Sequence, residues 1–464
     1  IMKNTADKPQ AKVWYHAGKW WSVLAARGGT KLFRLDSTTW TPTLTLTSSE
    51  NVHADCRVLG NVTHILLFEP EDDSYLVSVE YDAGTGRYKL WSKRTSRVEL
   101  PFGSGAESAT LAIDGDGRMW IASAAKTDVN VRWSDAPYSS WSDTFRIAQG
   151  ITDDDICALV PMPGKIGVLW SDQNTQRFGF KTHNDGADPR QWSADEAPAS
   201  GQAQSRGNGF GDDHMNILCA GDGTLYCAVK TSYDSPGYPK ISLLKRTPSG
   251  SWTFYPVSSI EGTRGIAVLN ERAQKLRVVY GSKEEGGDII YRETAVPDIS
   301  FGPPKTLISG RYLFNEATST HQPTNGEVVI LATNQDLDPK QAVGVLARDE
   351  DSAPPATAPA GPSEQEVLTT RAAARNSWNA SLTAFPNPAS GPTTLSFTLP
   401  QPEKYRLVLY DSKGARVGVL DKGRAEAGRT TTFGFDAGRL AGGLYLVRLQ
   451  TATGSKTVQL IVEQ

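Results

Sequence analysis

In this 464-residue chain, Asp212-Asp213-His214-Met215-Asn216 sets a histidine directly beside two carboxylates, and Gly207-Asn208-Gly209-Phe210-Gly211 leads into it. An imidazole beside two carboxylates can take up a proton as a general base, and a loop of three glycines can overhang it. Arg264 is the cation that would neutralise a substrate carboxylate. His214, Asp213 and Arg264 are therefore the catalytic candidates, for proton abstraction beside a carboxylate as in β-elimination from a uronate. Polar residues recur where other apolar runs begin: His53 and Asp55, Glu107, Asp154 and Asp155, Asn315 and Glu316. Asp55, Glu107, Asp155 and Glu316 are read as binding candidates. The competing reading is that such residues bind water and satisfy strand ends.

Oxygen-rich turns suggest a second chemistry. Asp114-Gly115-Asp116-Gly117, Glu69-Pro70-Glu71-Asp72-Asp73 and Asp153-Asp154-Asp155 carry the ligand type that Ca2+ requires, so Ca2+ is the candidate cofactor. None completes a twelve-residue calcium loop. Cys56, Cys157, Cys219 and Cys227 include no C-x-x-C pair, which argues against a zinc site. Cys219 and Cys227 flank the turn Gly221-Asp222-Gly223, a spacing open to a disulfide across a hairpin. The alternative is four buried small apolar side chains. Trp14, Tyr15, Trp20 and Trp21 are expected in a core, whereas Tyr233 and Tyr238, in a loop between strands, are the expected partner contacts.

The elements that must position these groups repeat. Trp40, Trp91, Trp141, Trp192, Trp252 and Phe301 follow one another at 51, 50, 51, 60 and 49 residues. A unit of about 50 residues is the length of a β-propeller blade of four short strands. Innermost strands are expected to begin near Lys12, Asp55, Glu107, Asp155, His214, Arg264 and Glu316, and Asp-Gly turns such as Asp116-Gly117 and Asp222-Gly223 lead into second strands. The predicted fold is all-β, a seven-bladed β-propeller over residues 1–350 followed by a small Ig-like β-sandwich over 381–464. A Pro/Ala-rich linker, 351–380, joins them, with a short helix expected at 364–375. Residues 2–8 are expected to complete the seventh blade and close the ring.

The final segment has its own pattern. Phe385-Pro386-Asn387-Pro388-Ala389 opens it, the apolar run 405–410 and Asp411-Ser412-Lys413-Gly414 follow, and Gly442-Gly443-Leu444-Tyr445-Leu446-Val447 precedes a last run at 457–462. This order of motifs resembles the C-terminal sorting domain of type IX secretion, found in Bacteroidetes-like bacteria. Phe385, Pro386, Asn387, Pro388, Gly443, Leu444 and Tyr445 carry the resemblance. It implies export to the cell surface or beyond, with the type IX secretion machinery as a partner. The start at Ile1 is expected of a chain whose signal peptide has been removed. The Asp-Asp-His cluster is faintly similar to that of seven-bladed polysaccharide lyases. The arginine cluster of a sialidase has no counterpart in the expected ring, which offers Arg264 alone.

Net charge is −3, and residues 381–464 carry ten Lys and Arg against six Asp and Glu, so the body is acidic. An acidic body without a basic stripe excludes nucleic acid, and no run of 18 apolar residues forms a membrane span. The expected function is therefore an extracellular or cell-surface binding or structural role, with a glycan or surface protein as partner and self-association through a retained C-terminal domain. The alternative is a secreted polysaccharide-degrading, lyase-like enzyme working at the channel mouth.

Overall fold

Short apolar runs that end at turn residues fold back on themselves throughout residues 13–348. The first hairpin shows how: Ala17 and Gly18 both take positive φ, 51° and 78°, which lets a two-residue turn pair His16 with Lys19. In the computed structural model, residues 1–5, 9–70, 72–199, 201, 209–324, 326–337, 340–348, 380–411, 416–451 and 455–463 are described. The chain divides into two compact units, Ile1–Pro354 and Pro355–Gln464.

Among the described residues of the first unit, seven antiparallel sheets follow one another in chain order, and each sheet pairs its strands consecutively. Their leading strands are Val13–His16, His53–Leu59, Ala106–Ile113, Cys157–Met162, Met215–Cys219, Thr263–Asn270 and Phe314–Thr318. The fourth and seventh sheets have three strands, and the second gains a fifth, Val98–Leu100. Each apolar core lies between adjacent sheets: Trp21 and Val23 pack with Ile65 and Val77, Leu66 and Phe68 with Leu111 and Ile121, Trp120 and Val131 with Leu159 and Val168. The series continues through Phe180 with Ile217 and Tyr226 with Val278. Val279 of the sixth sheet, Ile330 of the seventh and Trp20 and Leu24 of the first share one core. The first and last sheets are thus neighbours, and the arrangement is propeller-like.

Residues 1–5 depart from expectation. They form no strand; instead they bridge the first and seventh sheets. The Ile1 amino group donates to Lys340 O at 2.6 Å, Met2 N to Ala25 O at 2.9 Å and Thr5 N to Thr333 Oγ1 at 2.8 Å. Residues 6–8 lie outside the described residues, as do the linker and its expected helix. The aromatic beat also differs in detail. Trp40 and Trp252 lie in the outermost strands Thr39–Thr47 and Trp252–Ser258, whereas Trp91, Trp141, Trp192 and Phe301 sit in the segments before or between strands. Trp192 lies edge-on to Trp120, and among the described residues the fourth sheet has at its rim an isolated bridge, Phe180 to Glu196, in place of a fourth strand. Cys219 pairs with Leu225 and Cys227 with Ile217, so the two thiols are diagonal rather than directly opposite, and all four cysteines are free.

The second unit holds two antiparallel sheets, Ser381–Phe385 with Pro392–Thr398 and Thr431–Asp436, and Arg416–Ala425 with Glu403–Asp411, Gly443–Thr451 and Ser455–Val462. Leu395 and Phe397 from one and Leu407, Leu449 and Leu460 from the other share its core. The Phe385-Pro-Asn-Pro-Ala motif is pinned to the last strand. Asn387 Nδ2 donates to Gln459 O at 2.7 Å, its Oδ1 accepts from Ile461 N at 2.9 Å, and Ala389 N donates to Ile461 O at 2.8 Å. Phe385 is 78% exposed and Leu444 39%, while Tyr445 donates to Ala441 O.

Candidate functional site

The leading strands carry polar groups at both ends, and the two ends differ in kind. Where the strands begin, His214 lies just ahead of Met215–Cys219. Its Nδ1 is 3.1 Å from Asp212 Oδ1 and 2.5 Å from Asp213 Oδ1. Ser232 Oγ donates to Asp212 Oδ2 at 2.9 Å, Lys230 Nζ stands 3.4 Å from the same oxygen, and Lys230 also pairs with Glu284. Burial disfavours charge on His214, but the hydrogen bonds it donates to Asp212 and Asp213 outweigh it and raise the pKa above the ordinary value. The two carboxylates favour the protonated imidazole and engage its Nδ1, so the ring is held in place by its own neighbours. Asp212, Asp213 and His214 also have the geometry to hold a cation, but their mutual hydrogen bonds already account for the cluster.

The other expected ring residues lie at register shifts and turns. Glu107, Arg264 and Glu316 sit where the first ladder of their sheets slips register, and Arg264 and Glu316 take positive φ, 50° and 60°. Such bulges re-aim side chains at strand ends. Glu316 is buried and accepts from Asn4 Nδ2, while its carbonyl accepts from Thr5 Oγ1 at 2.6 Å. Asp155 closes a turn, accepting from Thr152 N at 2.7 Å and Gln173 N at 3.1 Å. Asp114 is likewise used within its turn, accepting from Arg118 N and Trp120 Nε1. The contacts of His214 do not include Arg264. Tyr233, expected in an exposed loop, is 3% exposed and packs with Phe210 and Tyr238, because the loop folds over the core of the fourth and fifth sheets.

Between the ends, Asp55 is fully buried and staples three sheets. Its Oδ1 accepts from Ala11 N and its Oδ2 from Leu111 N, both at 2.9 Å. Arg57, two residues on, donates from Nε to Leu111 O at 2.7 Å and from Nη2 to Leu159 O at 3.3 Å. His321 Nδ1 donates to Ile217 O at 3.3 Å, with Nε2 3.5 Å from Asp55 Oδ1. Burial alone would raise the Asp55 pKa, but the Arg57 charge, His321 and the Leu111 N–H together hold it below the usual carboxylate range. Burial, with Arg57 beside it, lowers that of His321.

Cavities open where the strands end, about 15 Å along the strand from His214. One of about 180 Å³ is lined by Arg57, Val58, Val160, Pro161, Cys219 and His321 among others. A second of about 330 Å³ is lined by Tyr15, Trp20, Thr320, Gln322, Pro323, Thr324, Gly326 and Glu327. The two share Thr320, Gln322 and Pro323. Tyr15 and Trp20 are cross-strand partners in the first hairpin, with ring centroids 5.2 Å apart. Trp20 is buried against the seventh sheet, while Tyr15 is 52% exposed. Trp14 and Trp21, on the opposite face, fill the core toward the second sheet and donate to Tyr88 Oη and His16 O. The Trp20 indole N–H is buried and has no hydrogen-bond partner among the described residues.

Sequence reading passed over Arg57, His321 and this cavity. Arg57 had a signal, since residues two apart on a strand share a face with Asp55. Tyr15, expected in a core with Trp14, Trp20 and Trp21, is instead half-exposed, because alternation cannot show which side of a sheet lies open at its rim.

Residues 383–463 match the family model described as a secretion system C-terminal sorting domain. The protein is therefore exported to the cell surface or the extracellular space, and no helix among the described residues is long and apolar enough to cross a membrane. No curated protein matches the chain. Similar solved structures include the polysaccharide lyase Uly1, at 10% identity over 71% of this chain and 88% of that one, with a TM-score of 0.43. A quinonprotein alcohol dehydrogenase-like protein from Bacteroides thetaiotaomicron is 12% identical over 70% of this chain and 72% of that one, with a TM-score of 0.44. An α-L-arabinanase from Penicillium chrysogenum is 9% identical over 64% and 93%, with a TM-score of 0.41. Likenesses at this level assign no activity.

Proposed function

We propose that this exported protein is a carbohydrate-binding propeller rather than an enzyme: a seven-bladed first unit that holds a saccharide in the Tyr15–Trp20 cavity, joined to an Ig-like sorting domain. The observation that carries the reading is the lining of that cavity. An exposed aromatic face stands beside neutral hydroxyl and amide groups, Thr320, Thr324 and Gln322, with Glu327 as its one ionisable carboxylate. A pyranose has an apolar C–H face for the ring of Tyr15 and hydroxyls for the polar groups. His214, the group expected to abstract a proton, is engaged by Asp212 and Asp213, and the binding candidate Asp55 is taken up by backbone N–H groups. Self-association through the C-terminal unit is part of the same reading, supported by exposed apolar residues on one sheet, Val417, Val419, Leu444 and Ile461.

The test is electrophoresis of the full chain through gels containing laminarin, xylan or alginate, with product release from each polymer assayed in parallel. Retardation by at least one polymer, lost in Tyr15→Ala, with no product formed, is the expected result. Turnover abolished by His214→Ala would instead establish the lyase-like alternative. Retardation unchanged in Tyr15→Ala would remove the cavity from the reading.

A further inference from the structure

The sorting unit carries a cluster of cations that its own fold does not explain. Lys404 and Arg406 lie on the strand Glu403–Asp411, Lys422 and Arg424 on its neighbour Arg416–Ala425. The register sets Lys404 directly opposite Arg424 and Arg406 directly opposite Lys422. Like charges directly opposed across a ladder destabilise a sheet. All four side chains point to the face away from the core, which Tyr405 and Leu407 occupy from the other side. All four are exposed, and no carboxylate lies among the residues that line the groove with them. That groove, about 500 Å³, is walled by the four cations with Tyr405, Gly423, Gln450 and Thr451.

We propose that this groove binds an anionic polysaccharide through its sulfate or carboxylate groups. Residues two apart on a strand are about 7 Å from each other, and opposed residues about 5 Å, so the four cations form a small rectangle. A polymer bearing charge on successive sugars can engage all four at once. Tyr405 packs its ring over Gly423 from the core side, and Gln450 and Thr451 add neutral hydrogen-bonding groups. The lining has no exposed aliphatic side chain to enter a bilayer, which favours a soluble polymer over an anionic membrane. The charge is local, since the whole chain is net negative and would otherwise repel a polyanion. This site is separate from the Tyr15–Trp20 cavity and does not depend on it.

The probe is dextran sulfate, compared with uncharged dextran and with phosphatidylglycerol vesicles, on the full chain at several salt concentrations. The variant replaces Lys404, Arg406, Lys422 and Arg424 by Gln; a control replaces the exposed Arg27, Lys93, Arg190 and Arg272 of the first unit by Gln. The expected result is binding to dextran sulfate that weakens with salt, falls at least tenfold in the groove variant and changes less than threefold in the control. The groove variant should also melt no lower than the native chain without ligand, because two like-charge pairs are gone; this separates lost binding from lost folding. Equal binding by native chain and groove variant would overturn the proposal. So would equal affinity for uncharged dextran, or binding to the vesicles alone.

Discussion

Asp55 and His214 were both legible as polar residues at the start of a leading strand, yet they titrate in opposite senses. The His214 pKa is raised in the fold, so its ion pairs stabilise the protein fully below the unfolded value and the contribution is lost as pH rises through the folded one. Comparing the melting temperature of the native chain with His214→Asn across pH should show the largest gap in mildly acidic buffer and a closing gap as the solution becomes alkaline. A pH-independent gap would mean that His214 is neutral in the fold. The Asp55 pKa is lowered, so its contribution is present above the unfolded value and lost as pH falls through the folded one. Asp55→Asn keeps the shape but replaces one acceptor by an NH2 that meets a backbone N–H, at Ala11 or Leu111. The expected loss is about 2–4 kcal/mol by urea denaturation at neutral pH. The sequence marked these positions but not their roles, because a carboxylate that grips backbone and one that grips ligand follow the same one-letter pattern. What separates them is the partner, and Ala11 and Leu111 are 44 and 56 residues away.

Elements were legible where local chemistry dictates them. Asp-Gly turns and the fifty-residue beat marked the hairpins, and a leading strand begins within two residues of each expected start. Strand membership at the rim was not legible, since the fourth strand of a sheet is held by few neighbours and Trp192 satisfies itself against Trp120 and His183 without one. Packing across a sheet was equally hidden. Trp170 pairs with Gly179, and a Cβ at Gly179 would lie 2.1 Å from the Trp170 ring. Nothing in the sequence around Gly179 announces that an indole lies over it. Gly179→Ala must therefore shift the ring or the strand, and overpacking of this kind costs about 1–3 kcal/mol. The expected outcome is a lower urea midpoint with an unchanged slope; a midpoint within error of the native chain would mean that the fourth sheet adapts freely. In the second unit, Asn387→Ala removes two hydrogen bonds to the last strand and should lower the stability of that unit by about 1–2 kcal/mol.

At the scale of the molecule, the relation between the first and seventh sheets decides whether the first unit behaves as a ring or as an open row. A row of sheets has two unprotected ends, and each can peel away at low cost; a ring has none and unfolds as one. Contact between these sheets rests on the core shared by Trp20, Leu24 and Ile330 and on residues 1–5, which reach Lys340, Thr333 and Glu316 from the other end of the unit. These bonds join residues more than 300 positions apart, so their formation fixes most of the chain between them. Removing residues 1–5 should lower the melting temperature of the first unit by several degrees and split its transition, while the transition of the sorting unit, which these residues do not build, stays in place. Calorimetry of the full chain and the shortened chain reads both. A first unit that still melts in one step at the native temperature would show that the shared core alone closes the ring, and that the N-terminal bonds merely follow.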